Sequence, residues 1–342
     1  MDIQNRKELK AAARQHLSGA ENGAKVTLLY AGFFVLSSLL INGLNLFLGS
    51  RISQSGGLQN MGLRSMLSTL KTMVPIVFQF LMLCLSLGFT GAMLRISRGQ
   101  YTSYQSLRIG FDRFWVLLRA TVLQLGFYIM AFMAAQIVSM QIFFLTPLSR
   151  KYIALMGSMV QGNPQDVMLM MEDPAFMDQM IGAMLPVAPL LLILFLALAA
   201  PIYYRYILTN YILIDKPGMG AMAAMRESRM IMRGNRIHFF KLDLSMWYFY
   251  LASLIASMAV YLFALLTILG VAVPLSPLAG SLICFGVHLV LTFLVILLLK
   301  PHVEVTHALA YESLRPKGQP SGGVVLGNIF DLAKDQMDQL QQ

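Results

Sequence analysis

LSMWYFYLASLIASMAVYLFALLTILGVAVPLSPLAGSLICFGVHLVLTFLVILLL, residues 244–299, contains no Asp, Glu, Lys or Arg; its only titratable side chains are Cys284, His288 and the tyrosines. A membrane-crossing helix needs about 20 predominantly apolar residues. These 56 residues are therefore too many for one crossing and enough for two. The break comes at PLSP, residues 274–277. Proline removes a backbone donor and its ring clashes with the preceding turn, so the chain leaves the helix there. The reading is two spans, near 244–272 and 278–300.

Outward from this stretch lie four more runs free of charge, at 26–48, 72–94, 120–149 and 179–204. The chain is 57% hydrophobic and 12% charged, against about 25% charged in a soluble domain. Six spans, near 26–48, 73–95, 116–143, 181–208, 244–272 and 278–300, predict an all-α polytopic membrane helical bundle. The first 25 residues are charged and the first apolar run has full length. A cleavable signal would have a core of about 7–15 residues, so the first span is expected to act as an uncleaved anchor. Cys84 and Cys284 both fall inside spans. They read as small hydrophobes, with no disulfide framework and no metal site expected.

Orientation follows from the basic residues, because cytoplasmic loops are enriched in Lys and Arg. Of the 26, alternate loops place 21 on one side and five on the other, the five being Arg51, Arg64, Lys71, Arg150 and Lys151. The split predicts both termini in the cytoplasm. It also accounts for MRESRMIMRGNRIHFFKLDLSMW, residues 225–247, which carries Arg226, Arg229, Arg233, Arg236 and Lys241. The four arginines advance by three, four and three, which puts them on one face if a single helix carries them. Gly234-Asn235 would end that helix. The expectation is an interfacial helix whose cations meet the anionic headgroups of the bilayer. Topology explains the net charge of +10, so no nucleic-acid partner is expected.

Three basic stretches, at 6–19, 101–115 and 222–240, each precede a pair of spans, and each carries a glycine near its end, at Gly19, Gly110 and Gly234. The pattern suggests a repeat of about 110 residues with units near 1–100, 101–215 and 216–316. A surface helix in each unit would fix the depth of the span that follows. The six-span domain would run over 1–316. Residues 317–342 would form a flexible linker and a short cytoplasmic helix whose stripe, Ile329, Ala333, Met337 and Leu340, could dock a partner.

NRKELKAAARQHLSG near the N-terminus, AAMRESRMIMRGNRIHFFKLDLSMW before the fifth span and ALAYESLR at 308–315 resemble segments of one bacterial family. It is the integral membrane proteins catalogued as domain of unknown function 975. The resemblance runs to about residue 316. It implies a helical membrane architecture in the bacterial cytoplasmic membrane and no catalytic residue or cofactor.

Candidate chemistry is sparse. His288 lies midway along the sixth span, and an ionisable group at membrane depth is a functional candidate by default. It could line a polar pathway with Asn42, Asn45, Gln124 and Gln136. It could equally bond a serine or a backbone carbonyl on a neighbouring span, as the amides could tie helices together. HVEVTH at 302–307 departs from the zincin pattern, whose histidines lie one helical turn apart, so no metal is expected at His302, Glu304 and His307. Asp243 beside Lys241 reads as an interfacial ion pair. The loop at 144–180 is rich in methionine, which could hold copper(I) but reads better as adaptable packing. Asn163 and Asp173 precede prolines there and read as turns or helix starts.

With no catalytic constellation, the expected function is non-enzymatic, in envelope or lipid homeostasis or membrane scaffolding. The alternative is a small-molecule or peptide transporter routed past His288.

Overall fold

The computed structural model describes residues 5–20, 22–54, 61–161, 173–268 and 276–315. The linker and terminal helix expected at 317–342, Asn163, and Met168, Met170 and Met171 lie outside the described residues. Among the described residues, six helical stretches are long and apolar enough to cross a membrane: Gly23–Ile52, Gly62–Ser97, Phe114–Leu145, Ala175–Asp215, Trp247–Leu266 and Ala279–Leu314. The expected class is therefore the observed one. Hydrocarbon offers no water to satisfy peptide groups, so the chain satisfies them within helices. Hydroxyls in the spans follow the same rule: Thr27 donates to Gly23 O at 2.9 Å and Ser253 to Phe249 O at 2.8 Å, each inside its own helix.

The chain divides into two compact units, residues 1–118 with 208–342, and residues 119–207. In the first unit, α1 (Arg6–Ser18) leads through Gly19 and Ala20 to α2 (Gly23–Gln54), which packs along α3 (Met61–Ser97). Asn5 starts α1 by accepting the Glu8 N–H at 3.4 Å and donating to the Glu8 carboxylate at 2.8 Å. A 3-10 segment, Tyr104–Arg108, and the single turn α4 (Ile109–Asp112) then press onto α3. Glycine makes that approach possible. A Cβ on Gly110 would lie 1.8 Å from the Cys84 carbonyl oxygen, and one on Gly88 would lie 2.3 Å from the Leu107 oxygen.

Later elements of the first unit are α9 (Thr209–Asp215), α10 (Ala221–Ile231), α11 (Arg236–Leu244), α12 (Trp247–Met258), α13 (Leu262–Ile268), α14 (Pro277–Leu298) and α15 (Lys300–Leu314). α14 packs on α2 and α12, and α15 packs on α1 and α3. The window Ala279–Leu314 is 36 residues long, about 54 Å of helix against about 30 Å of hydrocarbon. α15 is its continuation past the break at Leu299.

The second unit contains most of α5 (Phe114–Leu145), then α6 (Arg150–Gln161), α7 (Pro174–Met184) and α8 (Val187–Tyr206). α5 and α8 meet through Phe127 stacked on Tyr206 at 5.5 Å and Phe132 edge-on to Phe195 at 5.8 Å. In the methionine-rich region, α6 and α7 are the described helices. Asp173 caps α7 by accepting the Ala175 N–H at 3.0 Å, as its place before Pro174 suggests.

The basic stretch corrects one expectation. Its four arginines do not share a helix. α10 ends at Ile231, Arg233 lies in a turn, and Gly234 takes φ +90°, a backbone conformation that side chains with a Cβ resist. Arg236 then opens α11, and the fifth span starts only at Trp247. Gly234 is the turn residue, but a nine-residue helix separates it from the span.

Candidate functional site

α15 organises the site. Lys300, Glu304, His307, Tyr311 and the capping Arg315 advance by four, three, four and four residues, which sets them on one face of the helix. Each finds a partner on an element other than α15 itself. Lys300 Nζ donates to Tyr30 OH on α2 at 2.7 Å and lies 4.4 Å from the centre of that ring. The Tyr30 ring stacks on Phe89 of α3 at 4.5 Å. Glu304 accepts from Tyr211 OH of α9 at 2.9 Å and from Thr90 of α3 at 3.5 Å. His307 Nε2 lies 2.6 Å from Asp243 Oδ1 of α11. Tyr311 OH donates to Asp215 Oδ2 at 3.1 Å.

Asp215 closes the seam. It is fully buried and receives Arg98 at 2.8 Å and Arg315 at 3.3 Å, besides Tyr311. Arg98 also pairs with Glu312. Two guanidinium groups thus face two carboxylates, and the cluster is neutral as a whole. Burial alone would lower the Arg98 pKa, but its hydrogen bonds and charge interactions with Asp215 and Glu312 outweigh that and raise it. Arg98 follows α3, Asp215 ends α9 and Arg315 follows α15, so the ends of the second, fourth and sixth apolar stretches meet here.

Cations also satisfy carbonyls at helix C-termini, where the partial charge is negative. Arg6 and Lys10 of α1 reach Lys241 O and Ser245 O at the end of α11, each at 3.4 Å. Arg113 bonds Leu213 O and, at 3.4 Å, Lys216 O at the end of α9. Burial lowers the Arg113 pKa. Lys216 Nζ pairs with Glu227 of α10 at 2.7 Å.

The residues singled out from sequence fall in several places. Arg226, Arg229, Arg233 and Lys241 are exposed, and Arg236 is half-buried. His288 Nδ1 lies 2.7 Å from the Ala256 carbonyl of α12, a helix tie of the kind its sequence context allowed. Asn42 spends its amide on Ser38 O of its own helix at 2.9 Å. Asn45 Oδ1 is buried without a partner among the described residues. Gln124 and Gln136 lie on the part of α5 that belongs to the second unit. Asp243 corrects a second expectation: it is buried and meets His307, whereas Lys241 is exposed. α11 turns successive residues to different sides, so neighbours in sequence part company.

Two of the expected surface helices, α1 and α10, bury part of their small and apolar residues against protein. Leu9, Ala12 and Ala13 of α1 are buried, and α1 packs on α15. Ala221, Ala224, Met225 and Ser228 of α10 are buried, and α10 packs on α9. The seam itself escaped the sequence reading, which weighed His302, Glu304 and His307 only as metal ligands. The polar stripe from Lys300 to Arg315, embedded among Val303, Val305, Ala308 and Ala310, was the signal that could have found it.

Six membrane-length apolar stretches among the described residues, with buried ion pairs where the ends of the second, fourth and sixth meet, define an integral membrane protein of the helical class. The family model described as protein of unknown function, DUF975, matches residues 1–317, and the chain belongs to that family. No curated protein and no solved structure matches it.

Proposed function

We propose that the protein is a non-enzymatic, multi-pass protein of a bacterial inner membrane, with both termini in the cytoplasm, that serves envelope or lipid homeostasis as a membrane scaffold. One observation carries this reading. Six ionisable side chains near the helix ends are engaged with one another, Arg98, Asp215, Glu312 and Arg315 in one cluster and His307 with Asp243. Charges that neutralise each other in a buried seam hold helices in place. The excess of basic residues on alternate loops supports the cytoplasmic placement of this end.

The transporter alternative needs a polar route at mid-membrane, and the bond of His288 to the Ala256 carbonyl favours a helix tie instead. The test is complementation of a host strain lacking the gene, read as membrane lipid composition and tolerance of envelope stress. A scaffold predicts that His288→Leu restores both and that Asp215→Asn, at matched expression, does not. Normal accumulation of His288→Leu without restoration would transfer the assignment to transport.

A further inference from the structure

α11 has two apolar faces. Phe239 and Leu242 are buried in the protein with Asp243. Ile237, Phe240 and Leu244 are 65%, 47% and 59% exposed and, with the exposed Lys241 between them, form a stripe at three, one and three residues. A helix bathed in water turns a polar face outward; this one turns an apolar one. Two residues, Ser245 and Met246, separate α11 from α12, so Leu244 and Trp247 lie within about 11 Å of each other along the chain. α12 opens the fifth apolar stretch at Trp247, which is 59% exposed. Tryptophan favours the level of the headgroups. These features suit the outer face of α11 to the boundary of the hydrocarbon.

The exposed charge on the preceding helix and turn is of one sign. Arg226, Arg229 and Arg233 are exposed on α10 and the following turn. The acids between residues 221 and 244 are Glu227, paired with Lys216, and Asp243, buried against His307. Neither opposes the exposed arginines.

We propose that α10 and α11 form an in-plane collar that binds anionic phospholipid headgroups of the membrane the protein spans. Arg226, Arg229 and Arg233 meet the phosphates, while Ile237, Phe240 and Leu244 enter the acyl boundary. This inference rests on the scaffold reading and deepens it by naming the partner of its basic surface. α10 packs on α9, and α11 is tied to α1 and α15 by Arg6 and His307, so the collar is held by the helix-end junction.

Trp247 supplies the probe, because Trp115→Phe removes the other of the two tryptophans. The full chain carrying that change is placed in nanodiscs containing brominated phosphatidylglycerol or brominated phosphatidylcholine, and quenching of Trp247 is titrated in mixtures of the two. The anionic lipid is expected to quench preferentially, with a preference that weakens as salt is added. Arg226→Gln, Arg229→Gln and Arg233→Gln together should reduce the preference at least about fivefold, the effect of one basic side chain beside an anionic surface. The three Lys replacements should retain most of it. Equal quenching by the two lipids, or an undiminished preference in the Gln variant, overturns the proposal. So does strong binding of soluble polyglutamate with no quenching from the bilayer, which would assign the face to an acidic soluble partner. Failure here with intact complementation by the Gln variant refutes the collar and leaves the scaffold standing.

Discussion

Asp215 and Leu254 belong to the same unit. The first is fully buried among two guanidinium groups and a phenol, and the second, an apolar side chain, is 54% exposed. In water the two would exchange places. The contrast extends across their surroundings. In Trp247–Leu266 only 11% of the apolar window is buried by the protein, whereas nine of the fifteen residues of α15 are buried. Hydrocarbon already shields leucine from water, so packing one span on another gains no hydrophobic free energy. At the helix ends that shield is missing, and the chain must build a core of its own. Polar side chains enter that core only in matched sets, because an unpaired buried charge is costly.

Changes at the junction should therefore cost far more than changes in the spans. The largest effect is expected from Asp215→Ala, which leaves Arg98 and Arg315 without their shared carboxylate. Removing one partner from a buried ion pair costs about 3–5 kcal/mol, to be read as a loss of thermal stability and of accumulation in the membrane. A loss below about 1 kcal/mol would mean that water already reaches the cluster.

Gly110→Ala comes next. The added Cβ would meet the α3 backbone at Cys84, which cannot swing aside as a side chain can. Overpacking of this kind costs about 1–3 kcal/mol. Unchanged melting would show that α4 is loosely held. His288→Leu removes one interhelical hydrogen bond, and such bonds in membranes average about 0.6 kcal/mol. An unfolding titration in mixed micelles can resolve that difference. Leu254→Ala, on a lipid-facing surface, is expected to shift stability by less than about 0.5 kcal/mol. A larger loss would reveal a protein neighbour on that face and blunt the contrast between the two regions.

The spans were legible for the same reason that they are insensitive. Whether residues 26–48 suit hydrocarbon depends on those residues alone, so composition and length sufficed. The helix start at Pro277, the turn at Gly234 and the cap at Asp173 were also local and also readable, while the first half of the expected break at 274–277 lies outside the described residues. The basic stretch at 225–247 was half readable: its charge was plain, but its division between α10 and α11 depended on a turn that begins before Gly234. His307 shows what was hidden. Next to His302 and Glu304 it looks like a fragment of a metal motif, and its partner lies 64 residues away.

By itself, then, the sequence determined which stretches are long and apolar enough to cross a membrane and where the basic residues fall between them. Both follow from the transfer of short segments between water and hydrocarbon, which each segment settles without reference to the others. Only the tertiary structure decided that Arg98, Asp215 and Tyr311, separated by 117 and 96 residues, would share one buried site. Hydropathy says that such side chains must find partners. Which partner each one finds depends on how closely the elements approach, and between α3 and residues 104–112 that approach is set at Gly88 and Gly110 by the absence of a single carbon atom.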